Sequence, residues 1–154
     1  MNEQQTTRIV LAAMLAVTLA SAETGKTVAQ KVVEEVKSAH PEITGLEIAA
    51  TKPGSTGCKT IAATEAKEVG LKCDKDELTA IRTNQPFVEK EKTEFDVTLP
   101  LHDPSGKIIA TAGMDFKLEP GRTKESVTQE ALKIAAELEK RLTSLDAMFQ
   151  PANR

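Results

Sequence analysis

The sequence predicts an α+β domain with a central antiparallel β-sheet of about five strands and with its N- and C-terminal helices on one face. Three observations predict this class. Residues 95–116 alternate apolar with small or polar side chains around an Asp-Pro-Ser-Gly turn, which is typical of a β-hairpin. Residues 27–39 and 123–145 carry apolar residues at helical spacing. Three shorter strand-like runs lie between the first helix and the hairpin.

The first 22 residues have the features of a secretory signal peptide. A polar start with Arg8 precedes an apolar run over residues 9–20, and Ala20-Ser21-Ala22 places small residues where a signal peptidase cleaves. The run is shorter than the roughly 20 residues of a membrane span. We therefore expect cleavage after Ala22, a periplasmic or secreted protein, and no membrane contact after cleavage. A retained anchor is the alternative.

The composition of the mature chain limits the classes of partner that it can bind. About 130 residues are enough for one domain, which we place at residues 23–146, followed by a loose tail at residues 147–154. The net charge of −3 disfavours nucleic acid as a partner. The absence of Trp and Tyr disfavours an aromatic cage or a base-stacking platform.

The two cysteines, Cys58 and Cys73, are predicted to form a disulfide, as an even pair in an exported chain usually does. Such a bridge closes a loop of about 15 residues, worth roughly 3 kcal/mol in the chain-entropy model. Thiolate metal ligands are the alternative. The chain lacks a CxxC motif, and its only histidines are His40 and His102, so we expect no metal and no cofactor.

The first half of the mature chain reads as a helix followed by two short strands. Thr27 and Gln30 fit a capping box at the start of the helix, and Pro41 ends it. His40 lies where the helix dipole favours a cation, which predicts a structural role. The strands follow at residues 46–51 and 58–62, separated by a Gly/Ser loop that lacks the spacing of a phosphate-binding loop.

A short helix at residues 74–82 and a charged strand at residues 87–92 precede the hairpin. Asp74 and Glu77 fit a second capping box. Leu78 and Ile81 are predicted to form the buried edge of this helix. The charges of the strand are typical of a sheet edge with one face in water.

The hairpin register predicts two different faces. With His102 paired to Lys107, the apolar pairs are Leu101/Ile108, Leu99/Ala110, Val97/Ala112 and Phe95/Met114, and all point to one side. The last helix, capped by Thr123 or Ser126, has a long apolar stripe for that side. The stripe also offers a homodimer contact through the C-terminal helix.

The opposite face of the hairpin is the candidate ligand-binding site. Asp96, Thr98, Thr111 and Asp115 project there, and Gly113 leaves room beside them. Arg82 or Lys59 from the preceding segment is expected to pair with an acidic group of a ligand. The alternative is that Thr98 and Thr111 are a cross-strand pair, Asp115 caps a loop and Arg82 is a surface charge.

Several stretches resemble the extracytoplasmic PAS-like sensor domains of the Cache (PDC) family. They are RTNQPFV at 82–88, LPLHD at 99–103, GKII at 106–109 and AGMD at 112–115. The resemblance covers residues 28–118. It implies a PAS-like sheet, a ligand contact by Asp115 and, for this chain, a free-standing exported version of the domain.

The sequence therefore predicts an exported, sensor-like domain that binds a small molecule between the sheet and residues 52–86. We expect no enzyme, because neither histidine is placed with a nucleophile and an orienting group. A structural or protein-interaction accessory protein of the periplasm, without a ligand, is the alternative function.

Overall fold

The structure is a computed structural model that describes residues 25–153, so the predicted signal peptide lies outside the described residues. It confirms the α+β class: five antiparallel strands form one sheet in the order β2-β1-β5-β4-β3, with helices on both faces. The bounds of the helices are α1 Val28–Ala39, α2 Lys75–Thr83, α3 Lys124–Arg141 and α4 Leu145–Met148. The bounds of the strands are β1 Ile43–Ala50, β2 Lys59–Ala63, β3 Phe87–Lys90, β4 Glu94–His102 and β5 Ile108–Lys117.

The core lies between one face of the sheet and the helices α1 and α3. Phe95, Val97, Leu99 and Leu101 of β4 are at most 2% exposed and pack in one cluster with apolar residues of both helices. At about 25 cal/mol per Å² of buried apolar surface, this cluster is the main source of stability. The predicted placement of the two long helices on one face is confirmed.

The predicted register of the hairpin is wrong by two residues, although, away from the turn, the assignment of its faces is right. Asp103 N–H donates to Lys107 O at 2.9 Å, and a bulge follows between Leu101 and His102. The Asp103–Lys107 pairing and the bulge each shift the register by one residue relative to the prediction, so Leu101 pairs with Ala110. Because side chains alternate along a strand, the two single shifts together return the residues beyond the bulge, from Leu101 back to Phe95 and from Ala110 on to Met114, to their predicted faces. Next to the turn the prediction is wrong, since His102 pairs with Ile108 and Ile109 packs against the core.

Helix α1 begins as predicted at Thr27, whose Oγ1 accepts from Gln30 N–H at 3.2 Å. The Gln30 side chain does not close a capping box. It reaches edge strand β2 instead, donating to Ala63 O at 2.9 Å and accepting from Ala63 N–H at 3.1 Å. At the other end, the His40 ring lies within 2.9 Å of carboxylate oxygens of Glu42 and Glu137. Burial alone would lower the pKa of His40, but these two carboxylates raise it.

Residues 147–153, which we expected to form a loose tail, pack against α1. Met148 at the end of α4 is fully buried. Val28 N–H donates to Gln150 O at 2.9 Å, and Ala152 N–H donates to Lys26 O at 2.7 Å. Met148 thus buries apolar surface and the backbone of the tail has partners, and both depend on tertiary contacts that the sequence does not show.

Candidate functional site

A cavity of about 260 Å³ lies between the second face of the sheet and residues 52–86, which we call the covering segment. Strands β1, β5 and β4 contribute residues to one side, and the covering segment, which includes the edge strand β2, contributes residues from β2 to α2. The lining residues are Leu46, Glu47, Thr60, Glu68, Leu71, Lys72, Asp74, Glu77, Asp96, Gly113 and Asp115.

The floor of the cavity carries one carboxylate from each of three neighbouring strands: Glu47 from β1, Asp115 from β5 and Asp96 from β4. Asp96 and Asp115 are directly opposite in the β4–β5 ladder. Their side chains therefore lie side by side, as cross-strand pairs do.

Two glycines make room for these carboxylates. The Asp115 carboxylate lies over Gly45, where a Cβ atom would collide with Oδ2. A Cβ atom at Gly113 would lie 3.0 Å from both Cγ and Oε1 of Glu47. Glycine in a strand often marks such a close approach, and here it lets acidic side chains lie flat on the sheet.

The covering segment adds three further carboxylates and one cation. Glu68 is the last residue of a short 3₁₀ helix, Ala66–Glu68, and Lys72 lies just before α2. Asp74 and Glu77 form the predicted capping box of α2, in which Glu77 Oε2 accepts from Asp74 N–H at 2.8 Å. Thr60 Oγ1 donates to Glu47 Oε2 at 3.2 Å and ties the wall to the floor.

The cavity raises the pKa of the two aspartates on its floor. Burial, followed by the charges of Asp115 and Asp76, raises the pKa of Asp96 to about 7. Burial, followed by Glu94 and Glu47, raises the pKa of Asp115 to about 6. Desolvation disfavours the charged form, and neighbouring negative charges add to the effect.

Glu77 shows the same effect in the covering segment. Burial and a hydrogen bond with Asp74 raise its pKa to about 8. Burial and the charge of Glu47 raise the pKa of Glu68. Acidic groups from both walls of the cavity therefore hold protons more readily than in water.

The predicted disulfide is present: Cys58 and Cys73 are bonded, with their Cα atoms 5.3 Å apart. The bridge closes a ring of covering-segment residues, and Cys73 N–H donates to Cys58 O at 3.1 Å beside it. Four residues of this ring line the cavity, namely Thr60, Glu68, Leu71 and Lys72. The disulfide thus fixes part of the cavity wall.

The structure brings together two of the five residues proposed as ligand-binding. Asp96 and Asp115 line the cavity, as does Gly113. Thr98 and Thr111 are buried and do not line it; Thr111 Oγ1 lies 3.5 Å from Ala49 O, within reach of a hydrogen bond. Arg82 is exposed in the last turn of α2 and does not line the cavity either, because that turn lies beyond it. Lys59 is exposed and outside the lining as well.

The site contains residues that sequence reasoning missed. Glu47 was not singled out from the sequence, and Asp74 and Glu77 were assigned only a capping role. The available signal for Glu47 was Gly113, which leaves the space that the Glu47 side chain occupies. Within residues 25–153, no group of three or more His, Cys, Asp or Glu side chains is placed to hold a metal ion.

Comparison with known proteins connects this chain to a fold only. No family model and no curated protein matches it. A GAF domain of an Acinetobacter phosphoenolpyruvate-protein phosphotransferase is similar, at 12% identity and a TM-score of 0.52, over 75% of this chain and 82% of that one. A Burkholderia vietnamiensis protein described as a GAF sensor has 16% identity and a TM-score of 0.53, over 77% and 82%.

A third similar structure is the type II free methionine-R-sulfoxide reductase of Thermoplasma acidophilum. It has 15% identity and a TM-score of 0.53, over 79% of this chain and 92% of the reductase. At these identities the likeness shows the fold alone. The chain therefore has a GAF-like fold, a relative of the PAS fold, and its resemblance to the Cache family stays a prediction.

Among residues 25–153, no helix combines the length and the apolar character that crossing a bilayer requires.

Proposed function

We propose that this chain is an exported, sensor-like domain that binds a small molecule in the cavity between the sheet and the covering segment. The observation that carries the proposal is the cavity itself, which lies between the two layers of a GAF-like fold. Sites of this kind are concave and few per protein. Export is supported by the predicted signal peptide, by the disulfide and by the resemblance to extracytoplasmic Cache domains.

The lining favours a cationic ligand. Six carboxylates and one lysine, Lys72, line the cavity in the described part of the chain. An acidic ligand, which we expected Arg82 to pair with, would meet repulsion there, whereas an ammonium or guanidinium group would relieve it. The volume of about 260 Å³ is below the roughly 300–1,000 Å³ of sites for drug-sized molecules. The ligand class is therefore a small organic amine or guanidine.

We propose binding and not catalysis. The lining contains neither histidine nor cysteine, and its one hydroxyl, that of Thr60, donates to Glu47. An activated nucleophile needs an adjacent base and an orienting group. A cavity that is lined by carboxylates and lacks a nucleophile supports binding of a cationic ligand.

A thermal-shift screen at pH 8 tests the proposal with putrescine, agmatine and L-arginine as probes and glutarate as the anionic comparison. We expect at least one cationic probe to raise the melting temperature, because a ligand that binds only the folded state stabilises it. Asp115→Asn should weaken the binding of that probe by about tenfold or more, the loss of one charge-assisted contact of about 1.5–3 kcal/mol.

Asp146→Asn is the matched control, since Asp146 is an exposed acid of α4 remote from the cavity. It should bind the probe as the parent does. Stabilisation by glutarate alone, or an Asp115→Asn variant that binds as tightly as the parent, would contradict the assignment of the site.

The accessory-protein alternative is tested by native mass spectrometry of the chain from its own host. A co-purified small-molecule mass supports the binding proposal, whereas a ligand-free dimer or complex supports the alternative. The apolar stripe of α3 is buried against the protein's own sheet, with Val127, Ala131, Ile134 and Leu138 at most 1% exposed. A homodimer through α3 would therefore use its outer face, where Leu132 is exposed.

A further inference from the structure

Helix α2 is weakly anchored for an element that covers a cavity. Its two buried residues are Ala80, which is small, and Glu77, which is ionisable. Leu78 and Ile81, predicted as its buried edge, are 53% and 37% exposed. Burial of apolar surface is the main force that holds a helix to a sheet, so α2 has a low free energy of local opening.

The two surfaces that meet at α2 carry the same charge. The sheet presents Glu47, Asp96 and Asp115, and α2 presents Asp74, Asp76 and Glu77. The charged groups acting on Asp96 come from every neighbouring element: Asp115 of β5, Glu47 of β1, Asp76 of α2 and Glu91 of the turn after β3. Lys72 is the one cation of the lining, so full ionisation leaves a net repulsion across this interface.

The two ends of α2 are held with different strength. At its N-terminus, Cys73 precedes the cap residue Asp74 and is bonded covalently to Cys58. At its C-terminus, Asn84 Oδ1 lies 2.7 Å from His102 Nε2 in an exposed hydrogen bond. Such a bond contributes only about 1 kcal/mol, and besides it the C-terminal end of α2 is joined to β3 by residues 84–86. The helix therefore has a cross-linked end at Cys73 and a more weakly held end at Asn84.

We propose that α2 is a proton-controlled lid, which closes on the sheet when the interface carboxyls are protonated and swings open about the disulfide as they ionise. Protonation removes the like charges and turns a carboxyl group into a donor for its neighbour. Ionisation restores the repulsion, and the weak apolar anchoring of α2 offers little resistance. Closure of such a lid regulates access to the cavity, a property that goes beyond binding itself.

The raised pKa values of the interface groups support a transition near neutral pH. Asp115, Asp96 and Glu77 are raised to about 6, 7 and 8 respectively, with burial as the first cause of each. Groups on both sides of the interface therefore change charge between pH 5.5 and 8. Because the carboxylates face each other, ionisation favours opening of α2. The raised pKa values determine the pH range in which this opening occurs.

Hydrogen exchange of the ligand-free, oxidised protein tests the lid. Protection factors of amides in α2 are measured at pH 5.5 and pH 8.0, corrected for the intrinsic pH dependence of exchange, with amides of α3 as the internal reference. We expect protection in α2 to fall by about tenfold relative to α3 as the pH rises, because local opening becomes easier.

In the Asp96→Asn variant, the pH-dependent fall in protection of α2 should shrink to about threefold or less. The Asp146→Asn variant, whose substitution is remote from the interface, should behave like the parent. Equal protection of α2 at both pH values in the parent would overturn the lid. So would an undiminished fall in both Asp96→Asn and the Asp96→Asn/Asp115→Asn double variant. No ligand is present in this experiment, so its result is independent of the binding proposal.

Discussion

Glu77 serves two purposes that conflict as the pH rises. Its Oε2 atom accepts from Asp74 N–H and completes the capping box of α2, and its side chain is 7% exposed in the cavity wall. Burial and Asp74 raise its pKa to about 8 from an ordinary value near 4.5. The folded state therefore binds a proton that the unfolded state has already released between these two values. The stabilisation by this proton is complete below about pH 4.5 and is lost as the pH rises through 8.

Glu77→Gln should stabilise the ligand-free protein at pH 8.5 by about 1 kcal/mol, or roughly 3–5 °C in melting temperature, because glutamine mimics the protonated side chain. At pH 4.5 the variant and the parent should melt at nearly the same temperature. Differential scanning calorimetry at both pH values measures the difference. Glu89→Gln, an exposed change on β3, serves as the control. Equal melting curves of Glu77→Gln and the parent at pH 8.5 would refute the raised pKa.

The ring closed by Cys58 and Cys73 stabilises a segment that buries little apolar surface of its own. Its polypeptide includes a three-residue 3₁₀ helix, Ala66–Glu68, without a buried residue, and Val69 and Leu71 are 46% and 57% exposed. Backbone hydrogen bonds such as Thr60 N–H to Leu71 O at 2.9 Å hold the ring together internally. The covalent link therefore substitutes for a hydrophobic contact.

The Cys58→Ser/Cys73→Ser double variant should lose roughly 3 kcal/mol of unfolding free energy, since a closed loop of about 15 residues restricts the unfolded chain by that amount. Urea denaturation of the oxidised parent and the variant measures the loss. A reductant should destabilise the parent and leave the variant unchanged. A loss below about 0.5 kcal/mol would show that the ring is held by its backbone bonds alone.

The hairpin shows what local patterns can and cannot predict. The alternation of apolar and polar residues along the two strands shows which residues face the core. The assignment of Asp96 and Asp115 to the opposite face therefore followed from the sequence. The register needed the Asp103–Lys107 closing bond and the bulge beside His102, which have no unique sequence signal. Each change alone would exchange the faces and the two together restore them beyond the bulge, which explains why Asp96 and Asp115 were assigned to the cavity side despite the wrong register.

The other residues around the cavity are positioned by tertiary contacts, which the spacing of apolar residues in the sequence does not predict. Glu47 reaches the site because β1 lies beside β5 and Gly113 leaves space for its side chain. The exposure of Leu78 could not be predicted either, because an apolar stripe shows which side of a helix could be buried and not whether a partner covers it. Arg82 was placed in the site on its charge and its place in the covering segment, but the last turn of α2 does not line the cavity.

At the scale of the whole molecule, the two faces of the sheet separate the apolar core from the proposed binding site. The face under α1 and α3 holds the apolar core, and the face under the covering segment holds the carboxylates. The tail belongs to the first side: Met148 is fully buried, and Phe149 packs against the same core. Changes on the helix side should therefore alter unfolding without altering the site.

Met148→Ala tests this division. We expect a loss of about 2–4 kcal/mol in unfolding free energy from the cavity left in the core. The affinity for the cationic probe identified in the thermal-shift screen should stay within about twofold of the parent. Gln150→Ala, whose side chain is exposed, is the control for both measurements. A large loss of affinity in folded Met148→Ala would show that the two sides are coupled.

The pairing of the tail with the start of α1 also determines how the domain would be oriented if it were attached to a surface. Lys26 and Ala152 are joined by a backbone hydrogen bond, and Thr27 bridges Pro151, so both ends of the described chain emerge together on the helix side. A tether or fusion partner attached at either end would leave from the helix side, on the face of the sheet opposite the cavity. Anchored to a surface in this way, the domain would hold its cavity outward, toward the surrounding solution.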